Sequence, residues 1–288
     1  MNTNIPSSRT PYSQVVQSLR ALPFSNGFLW VKSGWAFFKL SPGKALLSAL
    51  ILTLTSLFLA LIPGIGFFAS TLLAPCLTAG AFLTWQGFQK NGFIELEDLF
   101  AGFRTRLETL ILLGFLNLAG MIAVTLLSLL AGALLGLLLF LGSDGAGLEL
   151  RGLIESLIQQ VAQQLSQDGE SVATLFSQYP IPHLLSFVVL TGLGLAIPLV
   201  MAQAFSPALV VFEGLTAWEA MKASFWACYR NIWPFLAYSI GLTGLYLLGA
   251  LTLGLGLLLV PAIQIAATYY SYTDILGKVP ERLVSQGS

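Results

Sequence analysis

Few polar side chains interrupt the long apolar stretches of this 288-residue chain, and they limit its chemistry. Asn117 lies about two turns into one such stretch, Gln264 near the middle of another, and Gln203 near the end of a third. Amides in an apolar environment usually hydrogen-bond between helices, at about 0.6 to 2 kcal/mol each. The alternative is that they are contact points for a lipid headgroup or a small solute in a groove.

No pattern in the sequence is typical of a catalytic or metal centre. One histidine (His183) and two cysteines (Cys76 and Cys228) are too few for a metal cluster. A zinc-protease helix motif and a nucleotide-binding loop are both missing. We therefore expect no enzyme, no cofactor and no metal. An intramembrane enzyme remains a third hypothesis that would need a cofactor or a cytoplasmic partner.

Three basic residues, Lys39, Arg104 and Arg230, end short segments of the same form. In each segment the order is aromatic, alanine, any residue, aromatic, base, at residues 35–39, 100–104 and 226–230. These bases could converge on anionic lipid headgroups. Alternatively, they belong to a solvated helix face, or they reflect the general enrichment of aromatic and basic residues at membrane edges.

The elements that carry these residues follow from the composition. Hydrophobic residues make up 56% of the chain and charged residues 9%, against about 25% charged residues in a soluble domain. A spanning helix needs about 20 mostly apolar residues. The expected fold is all-α and polytopic with six transmembrane helices, at 45–62, 67–88, 109–142, 184–206, 235–253 and 257–272.

The distribution of charge predicts the orientation of these helices. Twelve of the thirteen Lys and Arg residues fall in segments that alternate with the apolar stretches, whereas Arg151 stands among five acids. Basic segments stay inside, so both termini are expected in the cytoplasm and residues 143–183 outside. Two short helices in 109–142 would reverse this rule, and we therefore expect one long helix there.

Residues 143–183 are predicted to form an external loop with an amphipathic helix, because apolar residues recur there every three or four positions. We expect residues 1–26 to be polar and flexible, and 278–288 to be a tail. Since 1–26 contain no apolar core, the first membrane helix is expected to act as its own insertion signal.

A threefold internal repeat is the simplest interpretation of the matched segments. Prolines recur in the returning helices, at Pro75, at Pro261, and at Pro198 or Pro207. Each unit would consist of an interfacial helix, a helix out and a helix back, within one membrane domain over 27–277. The units would cover about 27–90, 91–213 and 214–277.

Several spaced motifs carry a resemblance to a known family. They are Gly27-x-x-Trp30-x-x-x-Gly34-Trp35-x-x-Phe38-x-x-x-Pro42, then 206–210, then 226–231, and finally Tyr269-x-x-Tyr272-x-Asp274-Ile275. Over about 25–277 the chain resembles an uncharacterised family of bacterial inner-membrane proteins with about six helices. The resemblance implies a bacterial cytoplasmic membrane and brings no catalytic residue.

The functional expectation is a non-enzymatic envelope factor that binds membrane lipids or a membrane-protein partner. Net charge is zero, which argues against nucleic acid as a partner. The alternative is a transporter or permease for an uncharged or lipid-like substrate, with Asn117 and Gln264 lining the path. The lack of charged residues at the centre of the predicted spans argues against proton coupling and against an acidic ion channel. The sequence leaves the oligomeric state open.

Overall fold

The computed structural model describes residues 11–142, 156, 181–252 and 255–278, and these form helices without any strand. We number ten α-helices in chain order. They are α1 Tyr12–Ser18, α2 Asn26–Leu40, α3 Pro42–Ala60, α4 Gly66–Asn91, α5 Leu107–Gly142, α6 Ile181–Gln203, α7 Ser206–Glu213, α8 Ala217–Arg230, α9 Ile232–Leu251 and α10 Val260–Ile275. Two 3-10 helices, Leu96–Phe103 and Leu255–Leu258, precede α5 and α10.

Five stretches within the described residues are helical, long and apolar enough to cross a membrane. They are Pro42–Ala60, Gly66–Asn91, Leu107–Leu138, Leu184–Glu213 and Ile232–Leu251. Their large apolar side chains are widely exposed, as Phe58 (73%), Leu190 (68%) and Leu251 (81%) illustrate. So much exposed apolar surface suggests a protein surrounded by lipid, since monomers in water rarely leave large apolar patches uncovered.

The third apolar stretch is one helix, as the charge distribution predicted. Helix α5 runs for 36 residues without interruption, which at about 1.5 Å per residue is about 54 Å. Glu108 lies in its first turn, where a carboxylate is favoured by the helix dipole. The predicted external segment 143–183, for which an amphipathic helix is expected, lies almost entirely outside the described residues.

The predicted sixth span differs from the other five. Helix α10 has 16 residues, and most of its side chains are buried in protein, including Ile263, Ala267 and Tyr272. It contacts α2, α3, α4 and α9. Because its partners are other helices, its apolar residues serve as core packing, and the count of six spans stays a prediction.

The chain divides into two compact units, which we describe separately. The first comprises residues 1–119 and 198–288, and contains the main hydrophobic core. The second comprises 120–197. Within it α5 and α6 approach closely at glycines: a Cβ on Gly132 would lie 2.2 Å from Val188 Cγ2, and one on Gly192 would lie 3.1 Å from Ser128 Oγ.

Each of the three aromatic-basic segments packs against a proline-containing helical stretch within the first unit. Helix α2 packs on α10, the 3-10 helix Leu96–Phe103 on α4, and α8 on α7. A Cβ on Gly102 would lie 2.0 Å from Cys76 O, and one on Gly34 would lie 2.6 Å from Ile263 O. In α8, Ser224 Oγ donates to Met201 O at 2.7 Å. Small residues thus permit close approach at the contacts of α2 with α10 and of the 3-10 helix with α4, whereas the Ser224 bond joins α8 to α6.

The N-terminal segment 1–26, which we expect to be flexible, includes a short helix. Residues 12–18 form α1, and Val15 is buried with 2% exposure. Helix α1 contacts α8, where Lys222 Nζ lies 5.2 Å from the centre of the Tyr12 ring. The few apolar residues of this polar segment suffice to dock it because α8 offers a complementary surface.

The contact between α4 and the following 3-10 helix predicts a large effect of one methyl group. A Cβ on Gly80 would lie 1.8 Å from Leu99 O, whereas one on Gly244 in α9 would meet nothing within 4 Å. We expect Gly80→Ala to destabilise the protein by about 1 to 3 kcal/mol or more, the usual cost of overpacking. Thermal unfolding of the purified protein, followed by tryptophan fluorescence, measures this.

The matched control is Gly244→Ala, which makes the same chemical change inside a helix and should be neutral or stabilising by up to about 1 kcal/mol. Equal melting temperatures for the two variants would show that α4 and the 3-10 helix are not in close contact.

Candidate functional site

The buried carboxylate of Asp274 ties the end of α10 to α2. Asp274 is 9% exposed, and its Oδ2 accepts hydrogen bonds from Trp30 Nε1 at 2.8 Å and from Asn26 Nδ2 at 3.0 Å. The Trp30 side chain is fully buried. A buried carboxylate needs such donors, because a charge without partners is costly to remove from water.

Asn231, between α8 and α9, is fully buried and makes three hydrogen bonds. Its Oδ1 accepts from the Leu22 N–H at 2.9 Å, and its Nδ2 donates to Arg20 O and Ala227 O, each at 2.9 Å. The Arg20 N–H in turn donates to Ile275 O at 2.8 Å. One amide therefore fastens the segment after α1 to the junction of α8 and α9.

Glu213, at the end of α7, is the third buried polar centre. It is 4% exposed, forms an ion pair with Lys278 Nζ, and accepts a hydrogen bond from Tyr272 Oη at 3.3 Å. Nearby, Tyr269 Oη donates to Gln89 Oε1 at 2.9 Å. We call Glu213, Asn231, Tyr269, Asp274 and their hydrogen-bond partners the polar network.

The polar network holds helices together and has no evident catalytic geometry. Its carboxylates are occupied by donors, and the described residues contain no group of three or more His, Cys, Asp or Glu that could hold a metal ion. Cys228 is a free, buried thiol whose pKa is raised to about 12 by burial. It is therefore protonated near pH 7 and a poor nucleophile.

Acidic residues crowd the connection before α5. Burial raises the pKa of the Asp98 carboxyl above its ordinary value, and the negative charges of Glu95 and Glu97 raise it further. The three carboxylates lie on a short 3-10 helix and the residue before it. They make this connection acidic beside Arg104, which follows the same 3-10 helix.

An open cavity of about 340 Å³ lies among α3, α4 and α10. Apolar side chains form most of its lining, together with four polar ones. The polar lining residues are Ser56, Thr78, Gln264 and Thr268. Gln264 Oε1 accepts a hydrogen bond from Tyr246 Oη at 2.7 Å, which orients the amide. None of the lining residues is charged.

The other two predicted amides lie elsewhere and bind each other. Gln203 Nε2 donates to Asn117 Oδ1, so that α5 and the end of α6 are joined by an interhelical hydrogen bond. This is the structural role that such amides usually have in membrane helices. Asn117 does not line the cavity with Gln264.

The three predicted lipid-binding bases are all exposed at the ends of short helices. Lys39 lies at the end of α2, Arg104 directly after its 3-10 helix, and Arg230 at the end of α8. One Arg230 nitrogen donates to Val16 O at 3.2 Å. Each stands two or three residues before a long apolar helix.

The polar network was not predicted from the sequence, although several of its residues stand in motifs that the sequence shows. Trp30, Asn231, Tyr269, Tyr272 and Asp274 all belong to the motifs that carry the family resemblance. Tyr269 and Tyr272 are each 3% exposed and therefore pack inside the protein. Their spacing within the motifs that carry the family resemblance was the sequence feature that could have indicated this role.

The geometry of Asn231 generates a prediction about the N-terminal segment. Replacing Asn231 by alanine removes three hydrogen bonds and leaves the Leu22 N–H without its partner, a loss of about 2 to 4 kcal/mol. We expect a lower melting temperature and faster tryptic cleavage after Arg20. Asn91→Ala, at an exposed helix end, is the matched control. Equal cleavage rates in both variants would contradict this role.

No protein-family model, curated protein or solved structure matches the chain.

Proposed function

We propose that this chain is a multi-pass protein of a bacterial cytoplasmic membrane that binds anionic lipid headgroups without catalysing a reaction. The observation that carries the proposal is the shared position of Lys39, Arg104 and Arg230. Each is exposed, and each ends a short aromatic segment directly before a long, apolar helix with a lipid-like exposed surface. A base in that position lies where phosphate groups of a bilayer would be.

The proposal includes a threefold repeat, which would make the three bases equivalent. In this proposal each short segment contacts the returning helix of the preceding unit: the 3-10 helix contacts α4, Ser224 of α8 bonds to Met201 of α6, and α2 contacts α10 of the last unit. Three contacts would be equivalent in the three units. They join Gly102 to Cys76, Ser224 to Met201, and Gly34 to α10. Such repetition can place a site at the interface between copies.

A partner protein is part of the same proposal. The acidic connection before α5 and the exposed bases offer charges of both signs, and a membrane-protein partner of complementary charge would bind to them. The external segment 143–183, if it lies outside as the charge distribution predicts, would offer a second contact.

Charge removal at the three bases should weaken lipid retention. We expect Lys39→Ala, Arg104→Ala and Arg230→Ala each to lower retention of phosphatidylglycerol about fivefold, since a base near an anionic surface contributes about 1 kcal/mol. Native mass spectrometry of the purified protein measures the lipid bound. Lys90→Ala, which removes an exposed charge at the end of α4, is the control. If all four variants retain the lipid like the wild type, the headgroup site is refuted.

The orientation has its own test. A reporter inserted at position 160 should be active only on the outer side of the membrane, and one fused after Ser288 only in the cytoplasm, because the basic segments stay inside. Paired fusions of an enzyme active in the periplasm and a protein fluorescent in the cytoplasm report this. Cytoplasmic activity at position 160 would overturn the proposed topology.

A second candidate function is a permease for an uncharged or lipid-like substrate. The cavity among α3, α4 and α10 favours it, because Gln264 lies there among apolar side chains. The path proposed through Asn117 is less well supported, since that amide is bonded to Gln203. A permease would therefore use the Gln264 cavity alone.

A further inference from the structure

The cavity among α3, α4 and α10 selects against charged ligands. Its lining contains Leu52, Leu77, Phe82 and Ile265 beside the four polar residues, and no acid or base. A charged group would lose its water there without gaining a counter-charge, which is costly. The cavity therefore favours an uncharged ligand.

The size and opening of the cavity indicate a partly apolar ligand that enters from outside the protein. A cavity of about 150 Å³ admits one benzene ring, and this one measures about 340 Å³. Ser56 and Thr78, which line it, are exposed on α3 and α4. Both helices are candidate membrane spans, so the opening would face acyl chains.

The hydrogen-bonding groups specify what the polar end of the ligand must be. Tyr246 holds Gln264 Oε1, and Gln264 Nε2 donates no hydrogen bond to any described residue. Thr78 Oγ1 donates to Ala74 O at 2.9 Å and so is left with lone pairs that accept. A ligand oxygen that accepts from the amide and donates to a threonine is a hydroxyl.

We propose that this cavity binds the free hydroxyl end of an uncharged lipid alcohol, of the diacylglycerol class, between Gln264 and Thr78. The proposal rests on the second candidate function, for which it names the substrate class. It does not involve Lys39, Arg104 or Arg230, so the headgroup site can fail while this site stands.

The test uses the full chain in nanodiscs that contain dioleoylglycerol or its methyl ether, which lacks the hydroxyl donor. Native mass spectrometry should show the wild type retaining the alcohol on the order of tenfold better than the ether, as expected for one hydrogen bond in an apolar environment. Gln264→Leu and Thr78→Val should each reduce this preference. Equal retention of the two lipids by the wild type would overturn the assignment.

Two matched pairs of variants control for folding. Ala74→Phe should fill the cavity and abolish retention, whereas Ala69→Phe on the same helix lies outside the lining and should not. Thr71→Val removes the same kind of hydrogen bond as Thr78→Val, to Phe67 O, and should retain the lipid. Retention by Ala74→Phe at the wild-type level would refute the site.

Uptake into proteoliposomes separates this site from the permease function. If the wild type retains the alcohol and Ala74→Phe does not, yet both take up labelled lipid at the same rate, the permease is refuted and the binding site stands. Retention of the alcohol together with cavity-dependent uptake supports both.

Discussion

The burial of α10 among other helices is the constraint on which the first structural unit depends. This helix contacts α2, α3, α4 and α9 at once, and nearly every side chain from Ala266 to Ile275 is buried. Helix α2 approaches α10 closely because Gly34, beside Ile263, has no side chain. It approaches α9 in the same way at Gly27, where a Cβ would lie 2.0 Å from Pro234 O. The Trp30 indole can then reach the Asp274 carboxylate, so packing and hydrogen bonding depend on each other.

The same helix serves two purposes along its length. Pro261, Gln264, Ile265 and Thr268 line the cavity, and the turns that follow carry Tyr269, Tyr272 and Asp274 into the polar network. A helix fastened firmly at one end keeps the amide at the other end in place. In an apolar cavity such fixed orientation matters, because a single hydrogen bond is most of what distinguishes one uncharged ligand from another.

Much of the fold could be predicted because the signals were local. The uninterrupted helix α5 followed from the placement of charge. The break between the first two predicted spans contains Pro63 and Gly64, residues that end helices, and Gly64 has a φ of +77°. The pairing of Asn117 with Gln203 is the structural role expected of amides in apolar helices. The docking of α1 was not predictable in this way, because it depends on an α8 surface that only the folded chain presents.

By itself, the sequence determined the all-helical class, the positions of the long apolar helices and the recurrence of the three aromatic-basic segments, since composition and spacing act within one element. Only the tertiary structure decided that α10 is buried among other helices and that its tyrosines form part of a core. The reason is that an apolar helix is equally compatible with contact to lipid and with contact to protein. It also decided that Asp274, Asn231 and Glu213 have partners as distant in sequence as Trp30, Leu22 and Lys278. Helix packing brings such distant residues together, and a local sequence pattern cannot predict which residues will pair.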